Sequence, residues 1–225
     1  YKSAVKWYRL AADQGDSVAQ RMLGNRYYFG QGVTKDYKFA VKWYRLAADQ
    51  GDAVAQFLLG RAYEEGSGVT RNLKTSVKWY RLAADQGNEN AQYALGRAYE
   101  EGSGVTRNLK TSVKWYRLAA EQEGAYTSIS MSQLKVGLMY LRGEGVTRDY
   151  KSAEKWLLLA AKQGDKFAQY ALGEFYQEGF SPIKDPNFVR DYKSAAKWLL
   201  LAAEQGFDSA QSSLGQLYRS GQGVT

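Results

Sequence analysis

The chain has 225 residues, 44% of them apolar and 14% aromatic, which is ample for a folded core, and it carries a formal charge of +8. It contains neither cysteine nor histidine. That excludes disulfides, thiolate and imidazole metal sites, cysteine nucleophiles and the commonest general base, leaving carboxylates, lysines and tyrosines for any chemistry. No run of about 18 apolar residues occurs, so no segment is expected to span a bilayer. The sequence opens at Tyr1 in mid-pattern, with no initiator methionine or signal-like stretch, and is expected to be a segment of something longer.

The sequence is self-similar from end to end. Tryptophans fall at Trp7, Trp43, Trp79, Trp115, Trp156 and Trp198, at intervals of 36, 36, 36, 41 and 42 residues. Each sits in one phrase, from AVKWYRLAADQG at the start to AAKWLLLAAEQG near the end. The phrases alternate with others such as Ala55-Gln56-Phe57-Leu58-Leu59-Gly60, followed by loops such as Gly66-Ser67-Gly68-Val69-Thr70. The repeating unit is a helix, a glycine loop, a second helix and a glycine turn; we call its helices A and B.

In chain order, helices are predicted near 1–14 (B), 16–29 (A), 36–50 (B), 52–65 (A), 72–86 (B) and 88–101 (A). They continue near 108–122 (B), 128–142 (A), 149–163 (B), 165–178 (A), 191–205 (B) and 208–220 (A). Ala55, Leu59 and Tyr63 recur at i, i+4 and i+8 in an A helix, while Ala40, Tyr44 and Ala47 or Ala48 form the B-helix stripe beside Trp43. Asp16, Asp52, Asn88 and Asp165 are good N-caps for A helices, and Asp36, Asn72, Asn108, Asp149 and Asp191 for B helices. Gly15, Gly51, Gly87, Gly164 and Gly206 suit left-handed B-helix ends. Ala55 and Gly60 are expected to admit a neighbouring helix closely, and the tryptophans to fill the space between hairpins. One hairpin cannot bury both its faces, so the fold class expected is all-α, a right-handed superhelical solenoid of about six 36-residue units forming a single domain over 1–225.

The phrases AQFLLGRAYEEGSGV and KTSVKWYRLAADQG closely resemble the Sel1-like repeat, a relative of the tetratricopeptide repeat, over essentially the whole chain. The resemblance implies a non-enzymatic adaptor that binds a protein, bacterial and often exported to the periplasm or beyond. It also implies roles in signalling, host interaction and virulence, or as immunity protein to a secreted effector. Some cysteine-rich bacterial relatives staple each repeat with a disulfide; this chain relies on packing alone. Arg61–Gln86 matches Arg97–Gln122 at every position except Asp85 against Glu121, which suggests recent duplication.

If the helices follow the tetratricopeptide arrangement, A-helix positions outside the core stripe line a concave groove. One row is Arg21, Phe57, Tyr93, Leu134, Tyr170 and Ser212. The next is Asn25, Arg61, Arg97, Leu138, Glu174 and Gln216, and the third is Tyr28, Glu64, Glu100, Leu141, Gln177 and Arg219. The aromatics either form an exposed ladder that would anchor a protein partner or pack within their own repeats. Two stretches break the period, one around 124–130 and one over 180–189. Phe180, Ile183 and Phe188 in the second are apolar residues in a polar turn and candidate partner contacts, although neutral drift explains such loops equally well. B helices carry rows such as Lys38, Lys42 and Arg45, which place positive charge on the opposite, convex face. This face is either simply solvated or docks on anionic lipid or nucleic acid; no base-stacking motif accompanies it. In the last two repeats Leu158 and Leu200 replace that arginine. The Gly-x-Gly-Val loops follow helices and recur, which fits turn chemistry better than phosphate binding. Glu64-Glu65 and Glu100-Glu101 read as helix ends, since adjacent helical residues point about 100° apart. No catalytic combination can be named, and no cofactor, metal or small-molecule substrate is called for. A monomer with a protein partner is the expectation; nucleic acid and membrane are not the main expectation.

Overall fold

The computed structural model describes residues 1–124, 127–179 and 190–224. Among these there are twelve α-helices and no strand. They divide into two compact units, Tyr1–Asn108 and Leu109–Thr225. The first holds α1 (Lys2–Asp13), α2 (Ser17–Phe29), α3 (Tyr37–Asp49), α4 (Ala53–Glu65), α5 (Leu73–Asp85) and α6 (Glu89–Glu101). The second holds α7 (Leu109–Ala120), α8 (Thr127–Arg142), α9 (Tyr150–Lys162), α10 (Lys166–Glu178), α11 (Tyr192–Glu204) and α12 (Asp208–Ser220). Odd-numbered helices are of type B and even-numbered ones of type A. Within each unit, successive helices pack in chain order. Phe180, Ile183 and Phe188 lie outside the described residues.

The helix starts follow the cap chemistry. Side chains of Asp16, Asp52, Asn88 and Asp165 accept from backbone N–H groups of α2, α4, α6 and α10, and those of Asp36, Asn72, Asp149 and Asp191 do the same for α3, α5, α9 and α11. The loop from an A helix to its B helix needs glycine for two reasons. Gly66 takes a left-handed φ of 78° to end α4, and a Cβ on Gly68, at φ 75°, would lie 2.3 Å from the backbone oxygen of Tyr37. The loop therefore lies directly on the start of the preceding B helix.

Helix packing turns on one glycine in each of the A helices α2, α4, α8 and α10. A Cβ on Gly24 would lie 2.6 Å from the ring of Tyr44, and one on Gly60 would lie 2.6 Å from Tyr80. In the second unit, Gly137 receives Leu157 and Gly173 receives Leu199 in the same way. These B-helix residues, each one position after the tryptophan, are buried, with Tyr44 at 1% and Leu157 and Leu199 at 0% exposure. Tryptophans do pack against the preceding hairpin, as expected, Trp198 among them, and Trp115 is buried at 6% exposure. Trp43 packs on the Val5, Ala12, Ala19 and Leu23 cluster, and Trp79 on the Ala40–Leu59 cluster, but both are only half-buried. Trp7 is 66% exposed.

A second recurring device escaped the sequence reading. Gln56 is buried; its Nε2 donates to the Ala48 carbonyl at 3.1 Å, and its Oε1 accepts from Gln86 Nε2 at 2.7 Å. The same bridge recurs at Gln20 with Ala12 and Gln50, at Gln133 with Ala120 and Gln163, and at Gln169 with Ala161 and Gln205. Each amide thus adds a hydrogen bond to a carbonyl at the C-terminal end of the preceding B helix and holds the end of its own B helix. The signal was in the sequence: a glutamine after the alanine of five of the six A-helix phrases (after Ser132 in α8), and another before the glycine of five of the six B-helix phrases.

Two substitutions test this architecture by chemical unfolding. Trp43→Ala should cost about 2–3 kcal/mol, below the roughly 3–5 expected of a fully buried ring, while Trp7→Ala should cost under about 0.5 kcal/mol. Gln56→Leu keeps the volume but leaves the Ala48 carbonyl only the Gly51 N–H and the Gln86 amide only the Leu82 carbonyl, so it should cost about 1–2 kcal/mol; an unchanged midpoint would count against the glutamine bridge.

Candidate functional site

The three rows named from sequence lie beside Gly60 and its equivalents on the A helices, close enough that Phe57 and Glu64 meet the same Tyr80 that Gly60 receives. In the first unit their side chains are bound to one another and to the neighbouring repeat. Arg21 Nε donates to Asp52 at 3.0 Å, so it grips the residue that caps α4. Asn25 accepts from the Tyr44 hydroxyl at 2.8 Å. The Arg61 guanidinium lies over the Tyr28 ring at 5.3 Å, and both residues meet Glu65, Tyr28 by a 3.1 Å hydrogen bond and Arg61 at 3.5 Å. Glu64 accepts from the Tyr80 hydroxyl at 2.6 Å and pairs with Arg97. These groups are partly exposed, so each ion pair contributes little to stability. Their effect is to fix side-chain positions.

The two alternatives left open for the aromatics resolve toward packing within the units. Phe57 is half-buried and stacks on Tyr80 with centroids 5.7 Å apart, and Tyr93 is half-buried as well. Tyr170 is half-buried and meets Phe207 edge-on at 5.1 Å. There is no freely exposed aromatic ladder at Phe57, Tyr93 and Tyr170. Burial pushes the Tyr44 and Tyr80 hydroxyls well above the ordinary phenol range, and the Glu64 acceptor adds to the effect at Tyr80. Both phenols are therefore neutral hydrogen-bond donors over the whole working range of pH, which suits a structural role and not proton abstraction. Among the described residues no cluster of acidic side chains could hold a metal ion.

The same positions carry different chemistry in the second unit. By register from Gly60 and Gly137, the places of Phe57, Arg61, Glu64 and Glu65 are taken in α8 by Leu134, Leu138, Leu141 and Arg142. Leucine at three of these four places cannot form the ion pairs that Arg61, Glu64 and Glu65 make. Instead, Leu134, Leu138 and Leu141 face Phe167 and Tyr170 of α10 across an apolar pocket of about 360 Å³, with Arg142 and Glu174 also in its wall. Phe167 is exposed. Glu174 accepts from the Ser213 hydroxyl at 3.0 Å, whereas Arg142 has no side-chain partner among the described residues. The sequence reading had placed Leu134, Leu138, Tyr170 and Glu174 together, and the structure does bring them together. It missed Phe167 and Arg142, which stand outside the three rows.

The Sel1 repeat family matches this chain over residues 1–16, 17–52, 53–88, 90–123, 130–165, 166–207 and 208–225. Each complete match is one A helix, its glycine loop and the following B helix. Among solved structures, a Sel1 repeat protein from Oxalobacter formigenes is 35% identical, with a TM-score of 0.76 over 91% of this chain and 79% of that one. A protective antigen present in uropathogenic Escherichia coli strains, displaying the same fold, is 36% identical with a TM-score of 0.58 over 98% of this chain. This chain spans only about half of the antigen's length (53%). A Sel1 repeat protein from Klebsiella pneumoniae, 20% identical, shares the fold with a TM-score of 0.55 over 95% of this chain and 99% of that one. All three relatives are bacterial, consistent with a bacterial origin for this chain. The comparison with functionally curated proteins gave no match. The chain belongs to the Sel1 repeat family, whose members are protein-interaction scaffolds, and its fold is an all-α repeat solenoid.

Proposed function

We propose that this protein is a non-enzymatic scaffold that holds a segment of a partner protein on its A-helix face, with the pocket between α8 and α10 as the anchor point. One observation carries the reading: positions filled by mutually bonded arginine and glutamate in the first unit are leucine in α8, and they open on a pocket instead of closing one another off. A half-buried apolar concavity with few polar groups at its wall is the composition of a recognition site for an apolar side chain. Arg142, a cation with no side-chain partner among the described residues, favours a carboxylate beside that anchor in the partner. The family's role as an interaction scaffold supports the reading.

The test uses substitutions that the fold already accommodates elsewhere. Leu138→Arg with Leu141→Glu installs the side chains present at the same positions of α4 and α6. Its unfolding free energy should stay within about 1 kcal/mol of the parent. Peptides selected on the whole chain from a displayed random library should share an apolar anchor next to an acidic residue. They should bind the double variant at least roughly tenfold more weakly, as expected for loss of an anchor. Selected peptides that bind parent and variant equally, or that show no common anchor, would refute the assignment.

A further inference from the structure

The six B helices share a pattern that the scaffold reading does not use. Four residues before an exposed leucine stands a lysine, and four before that stands another: Lys2-Lys6-Leu10 in α1, Lys38-Lys42-Leu46 in α3 and Lys74-Lys78-Leu82 in α5. The second unit repeats it as Lys110-Lys114-Leu118 in α7, Lys151-Lys155-Leu159 in α9 and Lys193-Lys197-Leu201 in α11. Residues at i, i+4 and i+8 lie on one helical face. The leucines are 37% to 49% exposed and stand at the same place in all six B helices. All twelve lysines are exposed, and none has an ion-pair partner among the described residues. In the second unit, Lys110, Lys114 and Leu118 line one shallow depression, and Lys151, Lys155 and Leu159 line another.

Each row is therefore cationic over two turns and apolar on the third. Five of the six end in a carboxylate, Asp13, Asp49, Asp85, Glu121 or Glu204, and α9 ends in Lys162 instead. The carboxylate of Glu154, beside the α9 row, accepts from the Tyr176 hydroxyl at 2.5 Å. Lys155 lies over the Trp156 ring at 5.9 Å, and Lys197 over Trp198 at 5.7 Å. Exposed leucine, an aromatic at its base and lysines whose alkyl stems lie along apolar surface are together the composition of a helix face that rests at a lipid headgroup boundary.

We propose that the B-helix face of the second unit, centred on α9, docks on an anionic membrane surface, the lysines meeting headgroup phosphates and the leucines entering the acyl boundary. Nucleic acid would use the lysines alone, because a leucine gains nothing against a polar sugar-phosphate backbone. The leucines are what separate the two partners. The proposal is independent of the A-helix pocket.

The experiment is co-sedimentation of the whole chain with phosphatidylcholine vesicles, with and without phosphatidylglycerol, at low and moderate salt. Binding is expected only with phosphatidylglycerol. Lys151→Gln with Lys155→Gln should weaken it roughly fivefold per lysine removed. Leu118→Gln, Leu159→Gln and Leu201→Gln together should weaken it at least about tenfold while leaving thermal unfolding unchanged, since these side chains are exposed. Absence of sedimentation with phosphatidylglycerol vesicles at low salt would overturn the proposal. So would equal affinity for a duplex oligonucleotide combined with indifference to the leucine substitutions, which would mark a general polyanion-binding face.

Discussion

The missing Cβ at Gly24, Gly60, Gly137 and Gly173 is the constraint on which the rest of the structure depends. Each glycine lets a ring or an isobutyl group from the next B helix sit against the A-helix backbone, at a distance where any other residue would collide. That contact sets the rotation of both helices. It turns Tyr44 and Tyr80 so that their hydroxyls reach Asn25 and Glu64, and it leaves the Arg61 and Leu138 positions partly exposed beside it. The glutamine bridges then fix the far ends of the B helices, where helix geometry alone leaves carbonyls without partners.

The element order was legible because three independent signals coincide: the tryptophan period, the capping residues and the left-handed glycines. The deeper packing was less legible. In the B-helix phrase the stripe of Ala40, Tyr44 and Ala47 or Ala48 is legible as core, but nothing in its spacing pairs one of its members with the glycine of the A helix. The structure gives that pairing to Tyr44, Tyr80, Leu157 and Leu199. Leucine at the last two of these positions was the available clue, since a wedge position accepts a change between large apolar residues. The ion network was illegible for another reason: Arg97 meets Glu64 across a repeat boundary, and no local spacing reports such a pair.

For the candidate site, the rows were found from periodicity, but the meaning of their contents was not. Arginine and glutamate on a free face suggest a surface awaiting a partner, and in the first unit they are largely occupied with each other. Leucine at the same register attracted less attention and proved to line the open pocket. A repeat scaffold can thus hold its backbone constant and change function by exchanging three side chains per helix, because the glycine contact and the glutamine bridge belong to other residues of the helix.

The account rests most directly on the glycine contact, and paired alanine substitutions measured by urea unfolding test it. Gly60→Ala should lose about 1–3 kcal/mol, since the new methyl meets the Tyr80 ring. Gly215→Ala, in the middle of α12 with nothing within 4 Å of the new atom, should be neutral or gain up to about 1 kcal/mol from helix propensity. Stabilisation at both positions, or equal loss at both, would contradict the claim that close approach at the glycine organises this fold.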